Sequence, residues 1–242
     1  MDKALALYKQ GWFPMFDDEQ RVLEWVQPHE RGLLPLDERF RVPRSLRQRV
    51  RSGKFVITCD RAFGSVIREC GTPAPGRERT WLSPEIIDLF EALHAAGHAH
   101  SVEAWVVESG GGIRGSAFGI RDDAVVPPQM PDHECRSPDP SWTLVGGLYG
   151  LALGGAFCGE SMFSRPDLGG TDASKVCLVH LVAHLRARGF VLLDAQLHNE
   201  HLEQFGLYEV PMDAYTGMLK TAAEMRVAWG EFDPARAGVI PS

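Results

Sequence analysis

An uncharged run of nineteen residues, 141–159, limits the folds open to this chain more than any other feature. A run of that length is long enough to cross a bilayer as a helix. Six of its residues are glycine, however, and its aromatic and β-branched residues recur at strand-like spacing. We therefore predict two buried strands, 142–153 and 156–163, joined at Gly154 and Gly155, rather than a membrane span.

Two carboxylates stand among apolar and small residues: Glu160 within the second of these strands, and Asp194 at the end of a later one. A buried carboxylate is costly unless it holds a cation or moves a proton. For Glu160 two partners remain open, an internal arginine such as Arg165 or the ammonium group of a substrate. Strand alternation predicts two faces around Glu160: Cys158, Glu160 and Met162 on one, and Phe157, Ser161 and Phe163 on the other.

Asp194 follows four consecutive apolar residues, 190–193, and functional sites often form where strands of mixed and parallel sheets end. Gln196 points to the same side of the strand, so the acid and the amide could act together. The alternative is structural: Asp194 caps the following turn and Gln196 lies on the surface. The residues alone leave both interpretations open.

Capping and turn residues place the other elements. Ser83 and Pro84 start a helix that Gly97 ends, and Asp172 and Gly189 bound a helix over 173–188. We predict further strands at 54–59, 100–107 and 190–196, and further helices after Pro43 and at 62–70, 199–205 and 213–229. This order predicts an α/β (α+β) fold, in which helices flank a mixed sheet.

The chain divides into a small N-terminal region, 1–52, and a larger α/β region, 53–242. Residues 108–140 are rich in Gly, Pro and Asp and have little apolar periodicity, which is typical of a long surface insertion. The whole chain of 242 residues is long enough for one large or two small domains with a real core.

The net charge of −7 argues at first against a nucleic-acid partner, but the charge is unevenly distributed. Residues 39–54, here called the basic stripe, hold seven cations and no acid, a pattern typical of phosphate binding. A solvated helix face is the plainer explanation of such a run. We predict phosphate contacts from five arginines of the stripe: Arg41, Arg44, Arg47, Arg49 and Arg51.

Several other functions are disfavoured. The five cysteines are odd in number, widely spaced and without a CxxC pair, which argues against a disulfide scaffold or a zinc ribbon and suits a reducing cytoplasm. The pairs His94/His98 and His180/His184 have metal-like spacing but no HExxH acid, so we expect no metal. The glycines match no nucleotide-phosphate motif, and the N-terminus has no signal-peptide core.

Five blocks of the chain resemble, in collinear order, the leucyl/phenylalanyl-tRNA–protein transferases: YKQGWFP at 8–14, GHAHSVEAW at 97–105, the block at 144–165 with CGESMFSR, DASK at 172–175, and LLDAQLHNEH at 192–201. The resemblance implies a catalytic domain of the GNAT N-acetyltransferase type and a smaller N-terminal domain. It implies transfer of Leu, Phe or Met from aminoacyl-tRNA to the α-amine of proteins that begin with Arg or Lys, which creates a bacterial N-degron. It implies no cofactor and no membrane partner, and we expect a monomer.

The resemblance also implies roles for single residues. Asp194 would polarise Gln196, which helps to remove a proton from the attacking amine, and Glu160 would hold a substrate ammonium. The basic stripe would contact the tRNA acceptor arm through its phosphates. A pocket for the transferred side chain would be lined by Trp105, Leu148, Phe157, Met162, Leu178, Leu181, Leu185 and Leu193.

The chain departs from the family pattern at several places. It begins within what resembles the family's N-terminal domain, and 108–140 and 166–170 are insertions. Met15 replaces a pocket tryptophan, and Leu181 and Leu185 replace aromatic residues, which favours a shift in aminoacyl preference. Two alternatives are an acyl-CoA-dependent N-acyltransferase, for which 165–174 lacks the pyrophosphate loop, and a non-catalytic tRNA-binding module.

Overall fold

The computed structural model describes residues 1–17, 22–73, 82–107 and 139–239, so the predicted insertion at 108–140 lies almost wholly outside the described residues. The described strands are β1 (Phe13–Asp17), β2 (Val22–Val26), β3 (Glu30–Leu34), β4 (Val56–Cys59), β5 (Ala99–Val107), β6 (Trp142–Leu153), β7 (Ala156–Ser164), β8 (Leu192–Gln196) and β9 (Tyr208–Pro211). The described helices are α1 (Asp2–Tyr8), α2 (Arg44–Arg51), α3 (Phe63–Gly71), α4 (Pro84–Ala95), α5 (Ala173–Arg188), α6 (Glu200–Glu203) and α7 (Met212–Glu224), with 3-10 turns at Pro166–Leu168 and Pro234–Val239.

Seven strands form one mixed sheet in the order β4-β5-β6-β7-β8-β3-β9, and β1 pairs with β2 in a separate hairpin. Within the large sheet β7 and β8 are parallel, and the other neighbours are antiparallel. The prediction of a mixed α/β sheet is confirmed. The uncharged run forms β6 and β7, joined at Gly154 and Gly155, as predicted. Within the described ranges, no helix is long and apolar enough to span a membrane.

Helix α5 makes the crossover that the parallel pair β7 and β8 requires. It is apolar on nearly all sides because it is buried between the sheet, α2 and the C-terminal 3-10 turn. Gly146 lets its first turn reach the sheet, since a Cβ there would collide with Ala173. Gly189 ends it with a left-handed backbone, as predicted. Asp172 is the N-cap residue, as predicted, although its side chain makes no capping hydrogen bond and lies 3.6 Å from Arg49.

The sheet separates two hydrophobic cores. The first core contains the buried faces of α2 and α5, and the second contains those of α1, α3, α4 and α7. Helix α7 was predicted to run to residue 229 but ends at Glu224. After the helix, Trp229 packs against the first core, where its ring stacks on His100 at 4.0 Å and lies 5.4 Å from Phe157.

The N-terminal elements α1, β1, β2 and β3 were not predicted individually, and neither was β9. Strand β3 lies between β8 and β9 in the large sheet, although the sequence division places its residues in the N-terminal region. That division at residue 52 stays a prediction. The position of β3 matters for function because it brings a second chain segment against the end of β8.

Candidate active site

The parallel pair β7 and β8 places the two sequence-predicted acids on adjacent strands. Cys158 is aligned with Asp194 in the ladder, so Glu160 lies at the level of Gln196, the last residue of β8. The side chains of Glu160, Asp194 and Gln196 are nine-tenths or more buried. The structure therefore brings Glu160 together with Asp194 and Gln196, which lie more than thirty residues later in the sequence.

A β-bulge sets the direction of Glu160. In the ladder with β6, Tyr149 faces Ser161 and Gly150 faces Gly159, which leaves Glu160 as an extra residue on β7. Gly150 has no side chain to obstruct this crossing, since a Cβ there would collide with the carbonyl oxygen of Cys158.

The predicted strand faces around Glu160 are wrong because of this bulge. A single extra residue reverses the alternation that follows it. Cys158 and Phe163 consequently share the second core, whereas Phe157 and Met162 pack in the first.

Asp194 lies in a saturated hydrogen-bond network. Its Oδ1 accepts from Arg31 Nε at 2.8 Å and from the backbone N–H of Gln196 at 2.8 Å. Its Oδ2 accepts from Arg31 Nη2 at 2.6 Å and from the Tyr215 hydroxyl at 2.7 Å. Asp194 thus caps the following turn, yet Gln196 is buried rather than on the surface.

Arg31 is the main site residue that sequence reasoning missed. Its side chain is 0% exposed and lies between the rings of Phe13 and Tyr215, at 4.6 and 4.7 Å from the ring centroids. Its Nη1 also donates to the carbonyl oxygen of Gly11 at 3.2 Å. Burial alone would lower the pKa of Arg31, but the paired Asp194 raises that pKa above its ordinary value, so the guanidinium stays charged. An arginine directly before three apolar or small residues is the weak signal that the sequence offered.

Glu160 has one occupied and one open oxygen. Its Oε1 accepts from the Tyr8 hydroxyl at 2.9 Å, and its Oε2 has no hydrogen-bond partner among the described residues. The proposed internal partner is wrong: Arg165 pairs with Glu69 at 3.1 Å and Asp167 at 3.3 Å, and not with Glu160. Tyr8, which opens the YKQGWFP block, is the second site residue for which the sequence indicated no role.

Gln196 also has an open polar atom. Its Nε2 is buried and makes no hydrogen bond within the part of the chain that the structure describes. The backbone of Gln196 is left-handed, with φ of 64°, which marks a strained position for a non-glycine residue. Gly32 on β3 accommodates the turn that follows, since a Cβ there would lie 3.0 Å from the carbonyl oxygen of Leu197.

The surroundings of Glu160 shift its pKa toward neutral pH. Burial raises the pKa of Glu160 to about 7, and the nearby Gln196 amide and the hydrogen bond from Tyr8 oppose that rise. The Gln196 amide is thus near enough to influence the carboxylate, although Nε2 and Oε2 do not form a hydrogen bond of normal geometry. A carboxyl group with such a pKa can both hold an ammonium and take a proton at pH 7.

Seven of the eight predicted pocket residues lie together in or against the first core: Leu148, Phe157, Met162, Leu178, Leu181, Leu185 and Leu193. Trp105 belongs to neither core and donates its indole N–H to Thr58 at 2.7 Å. Tyr8 and Tyr215, which bond the two acids, belong to the second core. The two tyrosines therefore lie on the opposite face of the sheet from the seven apolar residues. The role of these residues as a pocket stays a prediction.

The basic stripe forms α2 and its flanks. Arg41, Arg44 and Arg51 are exposed. Arg47 is half-buried and donates to the carbonyl oxygen of Val42 at 3.1 Å, and Arg49 is 3.6 Å from Asp172. Three of the five predicted phosphate contacts thus present exposed guanidinium groups.

The histidine pairs and other potential ligands do not converge. Among the described residues there is no group of three or more His, Cys, Asp or Glu side chains that could hold a metal ion. His180 and His184 lie buried in α5, where burial lowers the pKa of each to about 4, so both are neutral at pH 7.

Two family models match the chain. The model described as leucyl/phenylalanyl-tRNA protein transferase matches residues 33–126 and 140–220, and the model described as its N-terminal domain matches residues 2–29. Tyr8 lies in the second match and Glu160, Asp194 and Gln196 lie in the first. Arg31 lies in the short gap between them.

Curated proteins named leucyl/phenylalanyl-tRNA–protein transferase are similar over nearly the full chain. The protein from Paramagnetospirillum magneticum is 46% identical, over 94% of this chain and 90% of its own length. That from Hyphomonas neptunium is 44% identical, over 93% of this chain and 72% of its own. That from Chlorobaculum parvum is 39% identical, over 94% of this chain and 97% of its own.

Proposed function

Since the chain belongs to the leucyl/phenylalanyl-tRNA–protein transferase family, we propose that it transfers Leu, Phe or Met from aminoacyl-tRNA to the α-amine of proteins that begin with Arg or Lys. The observation that carries this proposal is a pair of open polar atoms, Glu160 Oε2 at the bulge in β7 and Gln196 Nε2 at the end of β8. An acceptor and a donor, both buried and both without a partner in the described structure, are groups suited to a polar substrate.

The chemistry of aminoacyl transfer needs what these two atoms offer. The attacking group arrives as an ammonium, which a carboxylate binds and from which it can take a proton. The ester carbonyl becomes an oxyanion during attack, and an N–H donor such as the Gln196 amide stabilises that charge. Because the ester of aminoacyl-tRNA is already activated, positioning and proton transfer are the remaining requirements.

The aminoacyl side chain is proposed to insert among the seven apolar residues of the first core, with Trp105 near its rim. A pocket of leucines with Met162 and Phe157 distinguishes ligands that differ by one methylene by only ~1–3 kcal/mol. Tolerance for Leu, Phe and Met is therefore expected. Leu181 and Leu185 leave more room than aromatic residues would, so we expect the order of preference to differ from that of a pocket lined by aromatic residues.

The donor tRNA is proposed to contact α2 through its phosphates. Arg44 and Arg51 of α2 and Arg41 before it are exposed, and guanidinium groups bind phosphate without reading sequence. We propose that the enzyme acts as a monomer in the cytoplasm, where charged tRNA is available, and that its products are marked for degradation as N-degrons.

The test is mass-spectrometric detection of product from purified protein, separately charged Leu-, Phe- and Met-tRNA, and a peptide that begins with Arg. Matched peptides that begin with Lys, with Asp, or with an acetylated Arg serve as controls. A mass gain of one aminoacyl group on the Arg and Lys peptides alone supports the proposal. Transfer to the Asp peptide would refute the acceptor specificity, and no transfer to any peptide would refute the reaction.

A further inference from the structure

We propose that Glu160 accepts the proton of the attacking amine through Oε2, and that Asp194 is a positioning residue held in place by Arg31 and Tyr215. This assignment rests on the proposed aminoacyl transfer. It differs from the arrangement in which Asp194 polarises the side chain of Gln196.

Asp194 has no acceptor site left for a substrate or for the Gln196 side chain. Its two oxygens accept four hydrogen bonds, from two nitrogens of Arg31, from Tyr215 and from the backbone N–H of Gln196. A carboxylate offers about four lone-pair sites, so this set fills them. Protonation of Asp194 would also leave the fully buried guanidinium of Arg31 without its counter-ion, which is a costly state.

These contacts give Asp194 a different function. The bond from the Gln196 backbone N–H to Oδ1 fixes the left-handed turn at the end of β8. That turn determines where the Gln196 side chain points. Arg31 in turn joins the carboxylate to Gly11 and Phe13 of the N-terminal segment. Asp194 thus acts on the reaction through Gln196, by holding its backbone.

Glu160, in contrast, has one carboxylate oxygen, Oε2, that is available to accept a proton. The Tyr8 hydroxyl occupies Oε1, which orients the carboxylate and leaves Oε2 open. The titratable and charged groups that face Glu160 come from five elements: Tyr8 of α1, Arg31 of β3, Tyr149 of β6, Cys158 of β7 and Asp194 of β8. Asp194 raises the pKa of Glu160 and Arg31 lowers it, and burial keeps it near 7. Glu160 is therefore the group of this network that can gain a proton without losing an existing bond.

In the proposed step, the three protons of the acceptor ammonium end on three different atoms. The acceptor ammonium gives one proton to Glu160 Oε2, and the neutral amine forms a C–N bond with the ester carbonyl carbon. As the C–O bond to the tRNA ribose breaks, a second nitrogen proton passes to the ribose oxygen, which leaves as a hydroxyl. The third proton remains on the new amide, and Glu160 releases its proton to water.

The experiment compares wild-type protein with Glu160→Gln, Asp194→Asn and Tyr215→Phe, with Glu224→Gln as an exposed control. Product formation is measured at saturating Phe-tRNA and saturating Arg-starting peptide between about pH 6 and about pH 9. Because Asp194→Asn leaves Arg31 unpaired and endangers folding, Tyr215→Phe is the second probe of the same network. It removes one donor to Asp194 without changing any charge.

We expect the wild-type kcat to rise with pH through the titration of Glu160, near pH 7. Glu160→Gln should lower kcat by about 100-fold or more and should remove the rise near pH 7. The remaining pH dependence of kcat should then follow the peptide α-amine, which titrates at about pH 8. Tyr215→Phe and any folded Asp194→Asn protein should have a lower kcat but should keep the rise near pH 7. Glu224→Gln should behave as wild type.

Two results would overturn the assignment in distinguishable ways. If Glu160→Gln kept the wild-type kcat and pH profile while Asp194→Asn or Tyr215→Phe lost the rise, Asp194 and not Glu160 would control the proton. If wild-type protein gave no product with any charged tRNA, the proposed function would fail, and this assignment with it.

Discussion

Tyr8 shows how much one hydroxyl can determine at this site. It donates to Glu160 Oε1 at 2.9 Å from a helix 152 residues earlier in the chain. Its ring is fully buried and packs edge-on against Trp25 and Phe90, at centroid distances of 5.8 and 6.4 Å. The ring therefore cannot move away without disturbing the second core, and the hydroxyl holds the carboxylate in one orientation.

Replacement of Tyr8 by Phe tests this arrangement through pH. The Tyr8 hydrogen bond lowers the pKa of Glu160, so its loss should raise that pKa further above its ordinary value. A charge-assisted hydrogen bond contributes about 1.5–3 kcal/mol, which corresponds to roughly one pH unit or more. We expect the rise of kcat with pH to move upward by about one pH unit, with lower activity at pH 7 that recovers at higher pH. An unchanged midpoint would contradict the role given to Tyr8.

The sequence identified the acids of the site but not the groups that bond them. Glu160 and Asp194 are conspicuous because each is a carboxylate within an apolar strand, and burial of such a group demands an explanation. Tyr8 and Arg31 are not conspicuous, since their partners are 152 and 163 residues away. Their pairing depends on the packing of α1 and on the insertion of β3 beside β8, which local patterns do not encode.

At the scale of elements, the bulge in β7 is the feature that sets the direction of the Glu160 side chain. The existence and the approximate lengths of β6 and β7 were predictable, because apolar residues fill both strands and two glycines mark the turn between them. The extra residue at Glu160 was not predictable, because it depends on contacts across the ladder. Gly150 is the one local sign of it: this glycine faces the bulge and has no room for a side chain.

Two glycine substitutions should therefore have opposite effects. Gly150→Ala places a methyl group against the carbonyl oxygen of Cys158 and the ring of Phe157. We expect it to lower the free energy of unfolding by ~3 kcal/mol and to reduce transfer by displacing Glu160. Gly217→Ala, within α7, meets nothing within 4 Å and should raise stability by about 0.5–1 kcal/mol. Urea unfolding of both proteins measures the difference, and equal stabilities would contradict the account of the bulge.

The GHAHS block, which carries part of the family resemblance, has a structural role in this fold. His100 Nδ1 lies 2.7 Å from Asp60 Oδ2, and the backbone N–H of Ser101 donates to Asp60 Oδ1 at 2.8 Å. Two residues on, buried Glu103 accepts from the hydroxyls of Ser101 and Thr58. These bonds attach β5 to β4 and to the start of α3, so the motif stabilises the sheet on the side away from Asp194.

Thr58 joins two buried side chains next to this motif, Glu103 and Trp105. Its hydroxyl donates to Glu103 Oε2 at 2.6 Å and accepts from the Trp105 indole at 2.7 Å. Thr58→Val keeps the shape but removes a partner of each buried group, at ~1–3 kcal/mol per group. We expect a loss of roughly 2–4 kcal/mol in the free energy of unfolding. Thr221→Val on the exposed side of α7 is the matched control and should change stability little; a similar loss in both would mean that the cluster is not responsible.

At the scale of the whole molecule, the N-terminal segment and the sheet together build the candidate site. Tyr8 orients one carboxylate and Arg31 fixes the other, so the site depends on residues before position 35. The sequence predicted most helices and strands of the region after residue 53, where capping residues and apolar runs are strong. It did not predict the strand order, because the placement of β3 between β8 and β9 is a matter of long-range pairing.

Charge distribution over the whole molecule leads to the last prediction. The chain carries a net charge of −7, so tRNA binding must depend on where the cations lie and not on their sum. Arg44 and Arg51 are exposed on α2, whereas Arg47 is engaged with Val42. Reversal of the two exposed arginines to Glu should remove about two phosphate contacts. The slope of log affinity against log salt should then fall by roughly 1.5, with weaker binding at low salt.

A second double variant separates local charge from net charge. Lys220→Glu with Arg226→Glu produces the same change in net charge at exposed positions in and after α7. We expect its tRNA affinity and salt dependence to stay close to those of the wild type, because those positions are outside the basic stripe. Fluorescence titration with labelled tRNA at several salt concentrations measures both quantities. If the two double variants weakened binding equally, long-range repulsion by the acidic body would govern tRNA binding, and α2 would not be its contact surface.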